Sequence, residues 1–120
     1  PNLMGIIACQ AAYEHGSEWL DALICYLSDN LALFRDFLRI EIPAIRMVEP
    51  EGTYLVWLDF RALRLSDQEL EHLLLHKAKL WLSPGYTFGA GGQGFMRFNI
   101  ACPRALLLQG LSNFRSAFVS

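Results

Sequence analysis

The chain has 120 residues, a net charge of -2 and 53% hydrophobic residues, with a pI near 5.9 and a mean hydropathy of +0.26. That length holds one ordinary domain able to bury about two thirds of its unfolded surface, and the charge balance offers neither nucleic acid nor an anionic membrane a basic surface. No apolar run nears the ~20 residues of a membrane span, so the apolar excess points to a large contact with a second domain or subunit.

The first residue is Pro1, with no initiator Met and no basic-plus-apolar signal segment after it, which suits a chain that starts mid-protein. Cys9, Cys25 and Cys102 are odd in number and irregularly spaced. They read as reduced thiols of a cytosolic protein rather than as a disulfide scaffold.

Residues 3–14 (LMGIIACQAAYE) are apolar nearly all round, the pattern of a buried helix. Gly16 and Ser17 punctuate, and a longer helix follows to about Ile40. Its apolar stripe is Leu20, Ile24, Leu27, Leu31, Phe34 and Leu38, spaced 4, 3, 4, 3, 4. At ~1.5 Å per residue it would run ~36 Å, long enough to bridge two lobes. Pro43 ends that region. Two strand-like runs come next, IRMVE (45–49) and TYLVWLDF (53–60), separated by Pro50-Glu51-Gly52. The second is apolar on both alternating faces, so it belongs in a sheet covered on both sides, or by helix on one side and a partner on the other.

Ser66-Asp67-Gln68-Glu69 is a capping box. The helix it opens carries Leu70, Leu73, Leu74 and Ala78 on one face. A short strand (KLWLS), a glycine-rich turn and the strand GFMRFNIA lead to a last helix opened by Pro103, with Leu107, Leu111, Phe114 and Phe118 as its stripe. The order helix, helix, strand, strand, helix, strand, strand, helix predicts a two-layer α+β lobe of the α/β class.

Gly89, Gly91 and Gly94 form a literal G-x-G-x-x-G. A dinucleotide site needs a helix directly after those glycines and an acidic residue about 20 positions on. Here a strand pattern follows, and no Asp or Glu occurs after Glu71. The fingerprint is therefore spurious. The strand says more: Met96, Phe98 and Ile100 point one way, and Phe95, Arg97, Asn99 and Ala101 the other. A mid-strand arginine between aromatics is expensive to bury unless it meets an anion. That anion is either one of the chain's own carboxylates or a carboxylate or phosphate ligand gripped by the planar fork.

Other candidates are weaker. His72 and His76 stand four apart but enclose Leu73-Leu74-Leu75 rather than a general base, so they read as solvent-facing helix residues and not as a metal site. His15 beside Gly16 suits a helix C-terminus. Cys102 precedes Pro103 at a strand-to-helix turn, where a helix N-terminus could lower its pKa, although a small buried thiol is the simpler reading.

PEGTYLVWLDFRALRLSDQELEHLLLHKAKL (50–80), SPGYTFGAGGQGFMRFNIACPR (83–104) and AAYEHGSEWLDALICYLSDNL (11–31) together resemble the C-terminal part of fold-type I pyridoxal-phosphate enzymes. Within the class I/II aminotransferase superfamily, the combination WLDFRAL with NIACPR is most similar to the cystathionine beta-lyase / C-S lyase branch. The resemblance implies residues 1–16 as the end of a large domain, 17–40 as an interdomain helix and 41–120 as a C-terminal small domain. It implies pyridoxal 5'-phosphate as the cofactor, a sulfur-containing amino acid as substrate, a large cofactor-binding domain as partner, a homodimer, and a cytoplasmic location.

It also implies that Arg97 grips the substrate α-carboxylate, which turns the open question above towards a ligand. The family's cofactor-binding lysine lies in a Ser-Lys stretch absent from this sequence, whose only lysines are Lys77 and Lys79. No catalytic, cofactor-binding or metal-ligating residue is therefore expected within these 120, and the segment alone is expected to be inactive. An aminotransferase, or a regulatory protein-binding module of the same family, is the alternative that the resemblance admits.

Overall fold

The computed structural model describes residues 2–119. Eight principal elements follow in the expected order: α1 (Leu3–His15), α2 (Ser17–Glu41), β1 (Arg46–Val48), β2 (Leu55–Asp59), α3 (Asp67–His72), β3 (Ser83–Pro84), β4 (Phe95–Asn99) and α4 (Arg104–Phe118). The strands form one antiparallel sheet in the order β1-β2-β4-β3. It is a two-layer α+β arrangement.

Period-two alternation divides the sheet into two chemically different faces. Val56, Leu58, Phe60, Met96, Phe98 and Ile100 are all buried. The helices close over that side: Phe34 of α2 lies 4.7 Å from Phe98, and Phe114 of α4 lies 6.0 Å from Phe60, ring centre to ring centre. Each fully buried Phe contributes on the order of 1.5–3 kcal/mol of transfer free energy, so these aromatic contacts help to tie the layers together. The other face carries Leu55, Trp57, Asp59, Phe95, Arg97 and Asn99, which are half-buried or exposed.

The α2 stripe is buried only in its C-terminal half. Phe34 and Leu38 are buried, Leu27 and Leu31 are half-buried, and Leu20 and Ile24 are exposed. The first half of the helix projects beyond the lobe within a molecule of 50 × 29 × 25 Å. The expectation that residues 3–14 form a buried helix fails. Residues 3–15 are helical, but none of them is buried, and Leu3, Met4 and Tyr13 are 71%, 75% and 90% exposed. A helix apolar all round has no polar face to turn outward, so its composition calls for a cover that these residues do not contain.

The capping box forms in both directions. The Ser66 hydroxyl accepts from the Glu69 N–H at 3.3 Å, and the Ser66 N–H donates to the Glu69 carboxylate at 2.9 Å. After His72 the helix widens into a π-turn over Leu73–Lys77, closed by Ala78 N–H donating to the Leu73 carbonyl. Lys79 then takes a left-handed conformation, φ 56°, and Leu80 N–H returns to the Leu74 carbonyl. That closure shortens the expected strand KLWLS: residues 79 and 80 serve to end the helix, Trp81 is 92% exposed, and pairing begins only at Ser83.

Candidate functional site

Arg97 sits in the middle of β4 on the face away from the helices. Its direct neighbours across the sheet are Trp57 of β2 and Ser83 of β3, so three strands present Trp57, Arg97 and Ser83 in a row. The Arg97 Nη2 donates to the Ser83 Oγ at 3.3 Å, and the guanidinium carbon lies 4.6 Å from the centre of the Phe88 ring. Phe88 meets Trp57 edge-on at 5.7 Å, and Trp57 stacks on Phe95 at 5.7 Å. The result is a planar cation set on an aromatic shelf.

Among the described residues, no internal carboxylate meets Arg97. Among the described residues, Arg35, Arg39, Arg61, Arg104 and Arg115 each lie within 4 Å of a carboxylate, and Arg97 does not. Arg46 and Arg64 also lack one, but they are exposed, whereas Arg97 is half-buried. A half-buried guanidinium with most of its N–H donors unengaged by protein is suited to a carboxylate or phosphate.

The glycine-rich stretch builds this site rather than a phosphate cradle. A Cβ on Gly85 would collide with the Gly92 carbonyl oxygen, and one on Gly92 with the Gly85 carbonyl. The backbone of residues 85–92 therefore folds on itself as two short 3-10 turns, and β4, not a helix, follows. Gly89 has φ 126°, which returns the chain after Phe88 has been placed over Arg97.

At the edge of the same face, Asp59 accepts from both Arg61 Nε, at 2.9 Å, and Arg61 Nη2, at 2.8 Å. Those bonds hold the Asp59 carboxyl below the ordinary carboxylate range against the opposing effect of burial. The stabilisation is present above the unfolded pKa of ~3.9 and is lost as pH falls through the lower folded value. Asp59→Asn is expected to lower the denaturant midpoint at pH 7, with the deficit narrowing below about pH 4 as the parent carboxylate takes up its proton. A pH-independent deficit would refute that assignment.

The remaining candidates stay apart from Arg97's contacts. His72 and His76 are both exposed, with ring centres 4.5 Å apart, and among the described residues no group of three or more metal-type ligands occurs. His15 is 3.8 Å from Glu14. Cys102 is half-buried, and burial pushes its thiol up. Lys77, the last residue of the π-turn, and Lys79 just after it are both exposed.

Sequence reasoning missed a polar hub behind β4. Asn30 of α2 is fully buried; its amide donates to the carbonyls of Ile100 at 3.0 Å and Cys102 at 3.2 Å, and its Oδ1 accepts from Arg104 Nε at 3.1 Å. The Tyr26 hydroxyl accepts from the Arg104 N–H at 2.6 Å. The signal available was a lone Asn beside the apolar stripe, but its partners are some 70 positions away.

This fold has counterparts. No family model matches the chain. The chain is 44% identical over 97% of its length to the cystathionine beta-lyase PatB of Bacillus subtilis, and 40% identical over 98% to the protein MalY of Escherichia coli. It superposes on cystalysin from Treponema denticola, whose crystal structure contains a pyridoxal 5'-phosphate cofactor, with a TM-score of 0.92 at 36% identity over 97% of this chain. The chain matches the C-terminal part of pyridoxal-phosphate-dependent cystathionine beta-lyases and C-S lyases. It spans about 30% of each of the two curated relatives and 29% of the cystalysin chain, corresponding to the C-terminal part of the family fold. Among the described residues, α1 and the first half of α2 are left uncovered.

Proposed function

We propose that these residues are the C-terminal part of a pyridoxal-phosphate-dependent carbon-sulfur beta-lyase, in which Arg97 binds the α-carboxylate of a sulfur-containing amino acid. The observation that carries this reading is the half-buried Arg97 fork, without a carboxylate partner among the described residues and backed by Phe88, in a chain 44% identical to a cystathionine beta-lyase. One hydroxyl, three aromatic rings and one guanidinium fit a carboxylate; they do not fit a phosphorylated pyridine, which needs an amine for attachment and further donors for its phosphate. We therefore assign cofactor attachment to a large domain outside these residues, and expect no turnover from this segment alone.

Pyridoxal phosphate, where bound, serves as the electron sink that lets a Cα proton leave and a Cβ–S bond break. The part played by this chain is orientation. A bidentate pair between Arg97 and the carboxylate removes rotation of the substrate about its Cα and keeps the Cα–H bond in one direction. The aromatic shelf of Trp57, Phe88 and Phe95 restricts water around that pair, which strengthens it. We place residues 1–16 with the large domain, 17–40 as the interdomain helix and 41–120 as the small domain, with a homodimer and a cytoplasmic setting as in the family expectation. The exposed apolar α1 favours that division.

The test is release of pyruvate from L-cystathionine by the intact protein loaded with pyridoxal phosphate. Water and cystathionine should give homocysteine, pyruvate and ammonia in equal amounts. Cofactor binding without pyruvate, and with amino-group transfer to an added keto acid, would replace the lyase by an aminotransferase and leave Arg97 in the same role.

A further inference from the structure

Resting on the carboxylate reading of Arg97, we infer that Ser83 is a positioning residue, which holds the Arg97 fork in the plane and register that its anion requires. A free arginine side chain populates many rotamers, and a ligand that has to freeze it binds more weakly. Two contacts from a single loop restrain it here. Ser83 Oγ accepts from Nη2 at 3.3 Å, while the guanidinium carbon lies over the ring of Phe88, five residues later, at 4.6 Å.

The loop's construction supports that role. Pairing to β4 is absent over 79–82 and covers only two residues, Ser83 and Pro84, of which Ser83 stands directly opposite Arg97. Thr87 Oγ1 then donates to the Pro84 carbonyl at 2.6 Å, and the mutual approach of Gly85 and Gly92 fixes the return. A two-residue strand adds little to a sheet. What it does accomplish is to bring one hydroxyl and one ring to the same guanidinium. Nη2 is engaged on one side by Ser83, so the remaining N–H donors are presented together to the ligand rather than distributed among rotamers.

The experiment uses the intact protein loaded with pyridoxal phosphate. Ser83→Ala is expected to raise KM for the carboxylate substrate on the order of five- to tenfold with kcat within about twofold, as for a hydrogen bond to a charged group. Calorimetric affinity for propionate, a carboxylate that cannot react, should fall by a similar factor, and the α-carboxamide analogue of the substrate should show no change. Ser83→Thr, which keeps the oxygen, should restore both; Ser83→Cys, nearly isosteric but a poor acceptor, should behave as Ser83→Ala. The inference is overturned if Ala and Cys variants keep full propionate affinity while Arg97→Lys loses it, or if their losses fall equally on the carboxamide. Full propionate affinity in Arg97→Lys would overturn the carboxylate reading itself, and the role of Ser83 with it.

Discussion

Arg97→Lys is expected to lower kcat/KM for L-cystathionine in the intact, cofactor-loaded protein by roughly 30- to 700-fold, which corresponds to ~2–4 kcal/mol for a misplaced charge-assisted pair. The substitution retains the charge, so a purely Coulombic role would tolerate it. What it removes is geometry. An ammonium is a single point with no planar fork; it would leave Ser83 Oγ at a different distance and change the contact over the Phe88 ring. A carboxylate held at one point can swing, and the Cα–H bond swings with it, so the loss should appear in kcat as well as in KM. Steady-state rates on the carboxylate substrate and on its α-carboxamide settle the matter. The parent should discriminate strongly between the two and the variant weakly; a variant within threefold of the parent on both would remove Arg97 from substrate binding.

The part of this site legible in one sequence was the part carried by local periodicity. Alternation in GFMRFNIA put Met96, Phe98 and Ile100 on one face and Arg97 on the other, as observed, because a strand's period of two is independent of its neighbours. The capping box at Ser66 was legible for a similar reason, since both of its hydrogen bonds close within three residues. Arg97's surroundings were not. Whether a strand arginine meets an internal carboxylate or a ligand depends on which side chains the sheet order and the 85–92 loop bring to it, and those contacts span 40 positions from Trp57 to Arg97. The resemblance of the motif, rather than any periodicity, turned the reading towards a ligand.

Two further misjudgements have physical causes. Residues 3–14 satisfy every local condition for a buried helix, yet burial is a property of what lies against a helix, and nothing in its own residues supplies that cover. KLWLS has strand-like composition, but ending a π-widened helix needs a left-handed residue and a returning N–H, and Lys79 and Leu80 are used for that. Strand propensity, a matter of about 1 kcal/mol, yields to the demand for paired backbone groups.

Asn30→Leu is expected to destabilise the C-terminal lobe by ~2–4 kcal/mol, because the leucine fills the space but leaves the Ile100 and Cys102 carbonyls without their buried donor, at ~1–3 kcal/mol for each group so stranded. Arg104 loses Oδ1 too, though it retains Asp29 at 3.6 Å and the Tyr26 ring. Asn30→Asp separates the two halves of the interaction. The acceptor for Arg104 is kept and gains charge, but a carboxylate now faces two carbonyl oxygens. At pH 7 the Asp variant should therefore be at least as unstable as the Leu variant, and on acidification it should recover in part, since a protonated carboxyl can donate one of the missing bonds. Urea midpoints at pH 7 and pH 4, read through hydrogen exchange of the Ile100 and Leu107 amides, give both numbers. The consequence reaches function through the backbone. Ile100 and Cys102 directly follow the strand that carries Arg97, while Asn30 belongs to the helix whose other end projects from the lobe. Loosening that joint should let the arginine's strand move relative to α2, so the Leu variant should also bind propionate more weakly than the parent at temperatures where it remains folded. Unchanged exchange at Ile100 and Leu107 in both variants would mean that the aromatic layer of Phe34, Phe98 and Phe114 holds α2 to the sheet unaided.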